Sequence, residues 1–161
     1  MSVPVARPYC RAESERGNID MYATAALDFE NDVKSVFRNV VSCFSGDGTT
    51  IQIQGEVNGN LRVVHYSALA SVPPSDQTRM GLHLRLDIRE LWIVSLHVGV
   101  SFRSTGLWRQ LVNAAEEIAR TAGTPIVNVF PLVSARSFWL KMGYRSLGCN
   151  SRVLAKNISE E

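Results

Sequence analysis

Close cysteine pairs are missing from this chain. Cys10, Cys43 and Cys149 are odd in number and far apart, which excludes a redox Cys-x-x-Cys motif and the paired ligands of a zinc site. They read as reduced thiols, and no metal-binding set is expected. The N-terminal Met1-Ser2-Val3-Pro4-Val5-Ala6-Arg7-Pro8 has no basic segment leading into an apolar one, and no run approaches the roughly eighteen apolar residues of a membrane helix. A soluble, cytoplasmic protein is expected, without a membrane partner. Charge of one sign is scarce too: the formal net charge is +2, with no dense Lys/Arg run interleaved with aromatics, so nucleic acid is not an expected partner. Internal repeats, low-complexity segments, a Walker loop and a Gly-x-Gly-x-x-Gly run are all absent.

What is present suits one compact domain over 1–161, since 45% of the residues are hydrophobic and 20% charged. Val3 to Arg7 reads as a short edge strand. From Asn18 to Phe44 the pattern is helical, with Phe29, Val33, Val36, Phe37, Val40 and Val41 along one stripe, and Ser45-Gly46-Asp47-Gly48 ends it. Thr50 to Val57 and Leu61 to Leu69 flank Asn58-Gly59-Asn60 as a hairpin. An exposed loop over Val72 to Arg79 precedes two strands, Leu82 to Leu86 and Leu91 to Val98. Ile126 to Phe130 is a short buried-type strand, Ser134 to Met142 a second helix ending at Gly143, and Tyr144 to Leu147 and Arg152 to Ala155 two closing strands.

The most informative segment is Ser95 to Trp108, which runs from a strand through a short turn into an amphipathic helix. Leu107, Trp108, Leu111, Val112, Ala115, Ile118, Ala119 and Ala122 recur at helical spacing, while Arg109, Gln110, Asn113, Glu116, Glu117 and Arg120 fill the other face. Ser104, Thr105 and Gly106 stand at its start, two hydroxyls suited to capping and a glycine that admits a close ligand. Unpaired amides and the positive dipole pole there make an anion cradle, to which Arg103 adds a guanidinium.

Leu96-His97-Val98, Arg103-x-x-Gly106, the helix ending near Gly123, and Ala135-x-x-Phe138-Trp139-x-Lys141-x-Gly143-Tyr144 together resemble the GNAT superfamily of acyl-CoA N-acyltransferases over roughly Glu90 to Leu147. The family's first signature is Arg/Gln-x-x-Gly-x-Gly/Ala, and its second is typically Asn-x-x-Ala-x-x-Phe-Tyr-x-x-x-Gly-Phe. The resemblance implies an α/β (α+β) fold with a mixed, mostly antiparallel central sheet, splayed central strands and flanking helices. It also implies acetyl-CoA as cosubstrate and an amine-bearing acceptor, a peptide or protein N-terminus, a lysine or a small amine. The diphosphate would sit on Arg103, Ser104, Thr105, Gly106, Leu107 and Trp108. The pantetheine arm would lie beside Leu96 and Val98, with Ala135, Phe138, Trp139 and Lys141 completing the site and the Val98 amide polarising the thioester carbonyl.

Three positions depart from the pattern. Trp108 stands where Gly or Ala is usual, Leu132 where Asn is, and Trp139 where the family's common proton-donating Tyr is; an indole cannot deliver a proton at neutral pH. Strict alternation puts Leu96, Val94 and Trp92 on the face of Val98, and none accepts a proton. His97, on the opposite face, and Glu90, at the strand's start, are the remaining candidates for a base. His65 and His83 stand singly and have no role in this reading. Without a base the acceptor is expected to be an amine of low pKa. A lysine near 10.4 is neutral in roughly one molecule in 2,500 at pH 7, a penalty of about 4.6 kcal/mol, against about 1 to 1.5 for an α-amine. Two other classes stay open: a GNAT-fold binding or regulatory module without turnover, and an unrelated nucleotide-binding α/β domain. An exposed edge strand also allows a homodimer.

Overall fold

The computed structural model describes residues 28–41, 50–69, 77–103 and 105–159. The expected strand at Val3 to Arg7, the first part of the Asn18 to Phe44 helix, the Ser45 to Gly48 stop, Cys10, Cys43, Ser104 and most of the Val72 to Arg79 loop lie outside them.

A helix over 28–40 (α1) opens the described chain, followed by strands Thr50–Asn58 (β1), Leu61–Leu69 (β2), Thr78–Arg85 (β3) and Glu90–His97 (β4). Helix Leu107–Ala122 (α2), strand Ile126–Val129 (β5), the short helix Arg136–Lys141 (α3) and strands Arg145–Ser146 (β6) and Leu154–Asn157 (β7) complete it. The strands form one seven-stranded sheet in the order β1-β2-β3-β4-β5-β7-β6. Every pairing is antiparallel except β4 with β5. The mixed, mostly antiparallel class read from the sequence is therefore the class observed.

Directly paired residues share a sheet face. Tyr66, Met80 and Leu96 fall in one row, and Val64, Leu82, Ile93 and Val129 in another. These residues are buried or half-buried and belong to the core, which α1 and α2 cover. Phe37 of α1 is fully buried and stacks on Tyr66 at 4.7 Å between ring centroids. At the other end of the α1 stripe the Glu30 carboxylate accepts a hydrogen bond from Lys34 and one of 3.4 Å from the Gly55 N–H of β1. Both hold its pKa below the ordinary carboxylate value, the Lys34 bond most. The opposite sheet face is polar, carrying Gln54, His65 and Ser95 in one row and Glu56, His83, Trp92 and Asn128 in the next.

Several boundaries move from their sequence positions for identifiable reasons. β3 begins at Thr78 rather than Leu82, because Thr78 is buried opposite Ala68 and its Oγ1 accepts the Gly99 N–H at 3.1 Å. α2 is capped by Gly106 in the left-handed conformation (φ 77°), with no side-chain cap. The expected hydroxyl cap is not made by Thr105, whose Oγ1 instead donates to the Phe102 carbonyl at 2.7 Å. Glu116, expected among the solvent-facing residues of α2, is 3% exposed. Its carboxylate accepts from Lys156 Nζ of β7 at 3.1 Å and from Tyr144 OH at 3.1 Å, so the charge is buried only because it is paired.

The largest correction concerns β4. Its register with β3 slips between Gly81 and Leu82: Ser95 faces Gly81, Ile93 faces Leu82, and Val94 is the extra residue. Such a bulge places two successive residues on one side and inverts the alternation beyond it. Leu96 therefore shares its face with Ile93 and Leu91, not with Val94 and Trp92 as strict alternation requires. Glu90, Trp92, Ser95 and His97 share the polar face.

Candidate functional site

β4 and β5 pair only over Glu90–Ile93 and Ile126–Val129. Beyond that point β4 continues to His97 while the other chain turns away through Phe130 and Pro131. Alternate backbone N–H and C=O groups on that edge of β4 consequently lose their strand partners. The gap is a cleft of about 260 Å³, lined by Ile93, Val94, Ser95 and Leu96 on one wall, Val129 to Leu132 on the other, and Trp108, Ala135 and Trp139 across its end. Among these described lining residues there is no carboxylate, imidazole, amine or phenol. Phe130 and Leu132 make its rim apolar, being 61% and 76% exposed.

A second cavity of about 740 Å³ adjoins it, lined by Arg103, Gly106, Trp108, Arg109, Ser134, Ala135 and Phe138. Trp108 and Ala135 line both cavities, so the two are neighbours at these residues. Its floor is the start of α2. The N–H groups of Arg103 and Thr105 are engaged with the Val100 and Phe102 carbonyls at 3.3 and 3.2 Å, and that of Arg109 with Gly106 O at 3.1 Å. Among the described residues Gly106, Leu107 and Trp108 have no backbone acceptor, as the first turn of a helix dictates. The amide cradle is thus narrower than the Arg103 to Trp108 stretch read from the sequence. A side chain at Gly106 would meet no protein atom within 4 Å. Glycine is required there by the positive φ, and the space above it is open.

The sequence-derived candidates fall into three groups. Arg103, Gly106, Trp108, Ala135 and Phe138 line the larger cavity, and Leu96, Trp108, Ala135 and Trp139 the cleft. Leu107 is 1% exposed, so its side chain belongs to the core and only its amide faces outward; Thr105 is exposed at the turn. Val98 is fully buried and its carbonyl accepts from Arg103 Nε at 3.4 Å; the cleft ends at Leu96 on that strand. Lys141 is exposed at the end of α3 and lines neither cavity. Glu90 is not brought to the cleft: six residues of strand, about 20 Å, separate it from Leu96, and its carboxylate accepts from Trp92 Nε1 at 3.2 Å. His97 is exposed on the polar face, opposite Arg79.

Arg109, Ser134 and Ser95 were not singled out by the sequence reading. Arg109 looks like any polar-face helix residue, Ser134 depends on α3 lying beside α2, and Ser95 lines the cleft where the bulge interrupts β4. Trp139 is 3% exposed, wedged edge-on between Phe138 at 5.3 Å and Tyr144 at 5.0 Å. Trp108 is half-buried and meets Phe138 edge-on at 5.5 Å, so it packs and lines a cavity at once. Among the described residues no group of three or more His, Cys, Asp or Glu is placed to hold a metal ion, and no helix is long and apolar enough to cross a membrane.

The mixed sheet, the parallel pair that parts midway, and the helix start beside the gap together make a GNAT-like fold. Similar solved structures include Elp3 of the archaeon Methanocaldococcus infernus lacking its N-terminal residues 1–46, with a TM-score of 0.54 and 17% identity over 73% of this chain and 33% of that one. A GNAT-family acetyltransferase of Staphylococcus aureus gives 0.49 and 14% over 60% and 68% of the two chains. A Bacillus subtilis acetyltransferase, solved in complex with CoA, gives 0.47 and 18% over 68% and 98%. At these identities the likeness is one of fold. No curated protein matches the sequence. The chain belongs to the family of unknown function DUF7332, whose model matches residues 8–122 and so ends with α2.

Proposed function

We propose that this protein is an acetyl-CoA-dependent N-acetyltransferase acting on an amine of low pKa. The observation that carries the reading is the side-by-side placement of two unlike cavities that share Trp108 and Ala135 in their linings. One has two guanidiniums and helix-start amides with no acceptor among the described residues, which suit a diphosphate. The other is lined mainly by apolar side chains, with a strand edge offering backbone donors and acceptors, which suits a linear arm carrying amides. Acetyl-CoA has these two parts in this order. Arg103 and Arg109 would hold the diphosphate, and Gly106 would admit it to the amides of α2. The parted strands would hold the arm, with a backbone N–H at the end of β4, for which Val98, just past the strand, is the sequence candidate, polarising the carbonyl. A neutral amine then attacks that carbon; the C–N bond forms, the C–S bond breaks, the nitrogen gives up its extra proton, which ultimately reaches solvent, and the thiolate takes one from solvent.

Because no titratable side chain lines the described cleft, the acceptor must arrive neutral or lose its proton by a less direct route. The α-amine penalty is about 3 kcal/mol smaller than that of lysine, worth about a hundredfold in rate at pH 7. Initial rates with acetyl-CoA on a peptide with a free α-amine should exceed those on an N-blocked lysine peptide by that order. A clear lysine preference would contradict the acceptor class. The same bare cleft favours a second reading, a binding module that holds acyl-CoA without turning it over. Acetyl-CoA affinity without transfer to any of a broad panel of amines would select it.

A further inference from the structure

Gly81 is the one position in its row of the polar face without a side chain, and the space it leaves is in use. A Cβ there would lie 2.8 Å from Ser95 Oγ and 3.1 Å from Val94 Cγ2, so the bulge leans the Ser95 hydroxyl over β3. Directly across Gly81, on β2, stands His65. Opposed Cβ positions in an antiparallel pair are about 4.5–5.5 Å apart, which puts the His65 Cβ within about 8 Å of that hydroxyl. An imidazole covers such a span directly or through one bridging water. Ser95 also lines the cleft, both residues are exposed, and neither has a hydrogen-bond partner among the described residues. Three strands thus bring the bare cleft within reach of an imidazole that sequence separation conceals.

Resting on the acyl-transfer reading, we propose that Ser95 and His65 form the proton path of the reaction. Ser95 Oγ is the group that meets the amine. As the amine nitrogen bonds to the acyl carbon and the C–S pair leaves with sulfur, the amine proton passes to Ser95 Oγ while the hydroxyl proton passes to the His65 ring nitrogen. The imidazolium then releases it to solvent. His65 acts through Ser95 and is a positioning residue. The charged and titratable groups facing it are Glu56 on β1, Arg79 and His83 on β3, and His97 on β4 beyond Arg79.

The test is kcat/KM for acetyl-CoA with a peptide bearing a free α-amine, from pH 5 to 9, for the unaltered protein, His65→Ala, His65→Gln and Ser95→Ala. The unaltered protein should show the amine's limb near pH 8 and a second limb below it, because imidazole accepts a proton only when neutral. His65→Ala and His65→Gln should lose the lower limb and roughly a hundredfold or more in rate, with acetyl-CoA affinity and melting temperature unchanged. Added imidazole should restore His65→Ala but not Ser95→Ala, and the double variant should be no slower than either single one. A His65→Ala profile that keeps both limbs overturns the path. Acetyl-CoA binding without transfer by the unaltered protein overturns it too, leaving the binding half of the reading intact. Failure to bind acetyl-CoA overturns the reading beneath both.

Discussion

Glu116 shows how one side chain is decided by partners far along the chain. On α2 alone it belongs to the polar face, yet a carboxylate 3% exposed is tolerated because Lys156, forty positions away, and Tyr144 both donate to it. The bond also sets the environment of Gly143, whose Cβ would lie 3.4 Å from Lys156 Cε at a φ of 94°. Removing one partner of a buried pair costs about 3–5 kcal/mol, while replacing both by apolar residues is often neutral. Glu116→Leu should therefore lower stability by that amount in urea unfolding, and Glu116→Leu with Lys156→Met should regain most of it. Equal losses in the single and double variants would show that packing around the site matters more than the pair. No sequence signal identified Glu116, since its partner Lys156 lies just beyond the Arg152 to Ala155 strand read from the sequence and falls on β7 only in the fold.

At the scale of elements, periodicity made α2, the β1–β2 hairpin and the Ile126 strand legible, because each buries one clear face. The bulge in β4 was not legible. Inserting one residue leaves no mark on composition, yet it exchanges which side chains of β4 face the helices, and with them the candidate base. Gly106 was legible as a phosphate-turn glycine, although its conformational role at the helix start shows only in its φ. The junction of α1 with β1 depends on an ionised Glu30, whose pKa is lowered chiefly by the Lys34 hydrogen bond and then by the Gly55 N–H. A carboxylate whose folded pKa is depressed contributes stability above its unfolded pKa and loses it as pH falls through the folded one. Glu30→Gln should thus be less stable than the unaltered protein at pH 7, with the gap closing as the pH drops below the ordinary carboxylate range. A gap constant from pH 7 to pH 3 in thermal melts would show that the charge is irrelevant.

For the whole molecule, the core is the layer between α1, α2 and one face of a seven-stranded sheet, and the candidate site lies where that sheet divides. The general class followed from the order of short signals, a strand, Arg103-x-x-Gly106, an amphipathic helix and the Ala135 to Tyr144 segment. The placing of the two cavities side by side did not, because it depends on α3 lying against the start of α2 through Phe138 and Trp108. Trp108, which lines both, is the residue most able to deny a ligand passage. The most direct measurement is the shift in melting temperature with acetyl-CoA and CoA, alongside ATP and NAD, for the unaltered protein and Gly106→Val. A ligand at about a hundred times its dissociation constant stabilises by about 2.7 kcal/mol, roughly 5–10 °C in a domain of this size. The expected result is such a shift with both CoA species, none with NAD, and its loss in Gly106→Val. The absence of any shift with CoA or acetyl-CoA would contradict the assignment of the two neighbouring cavities to an acyl-CoA.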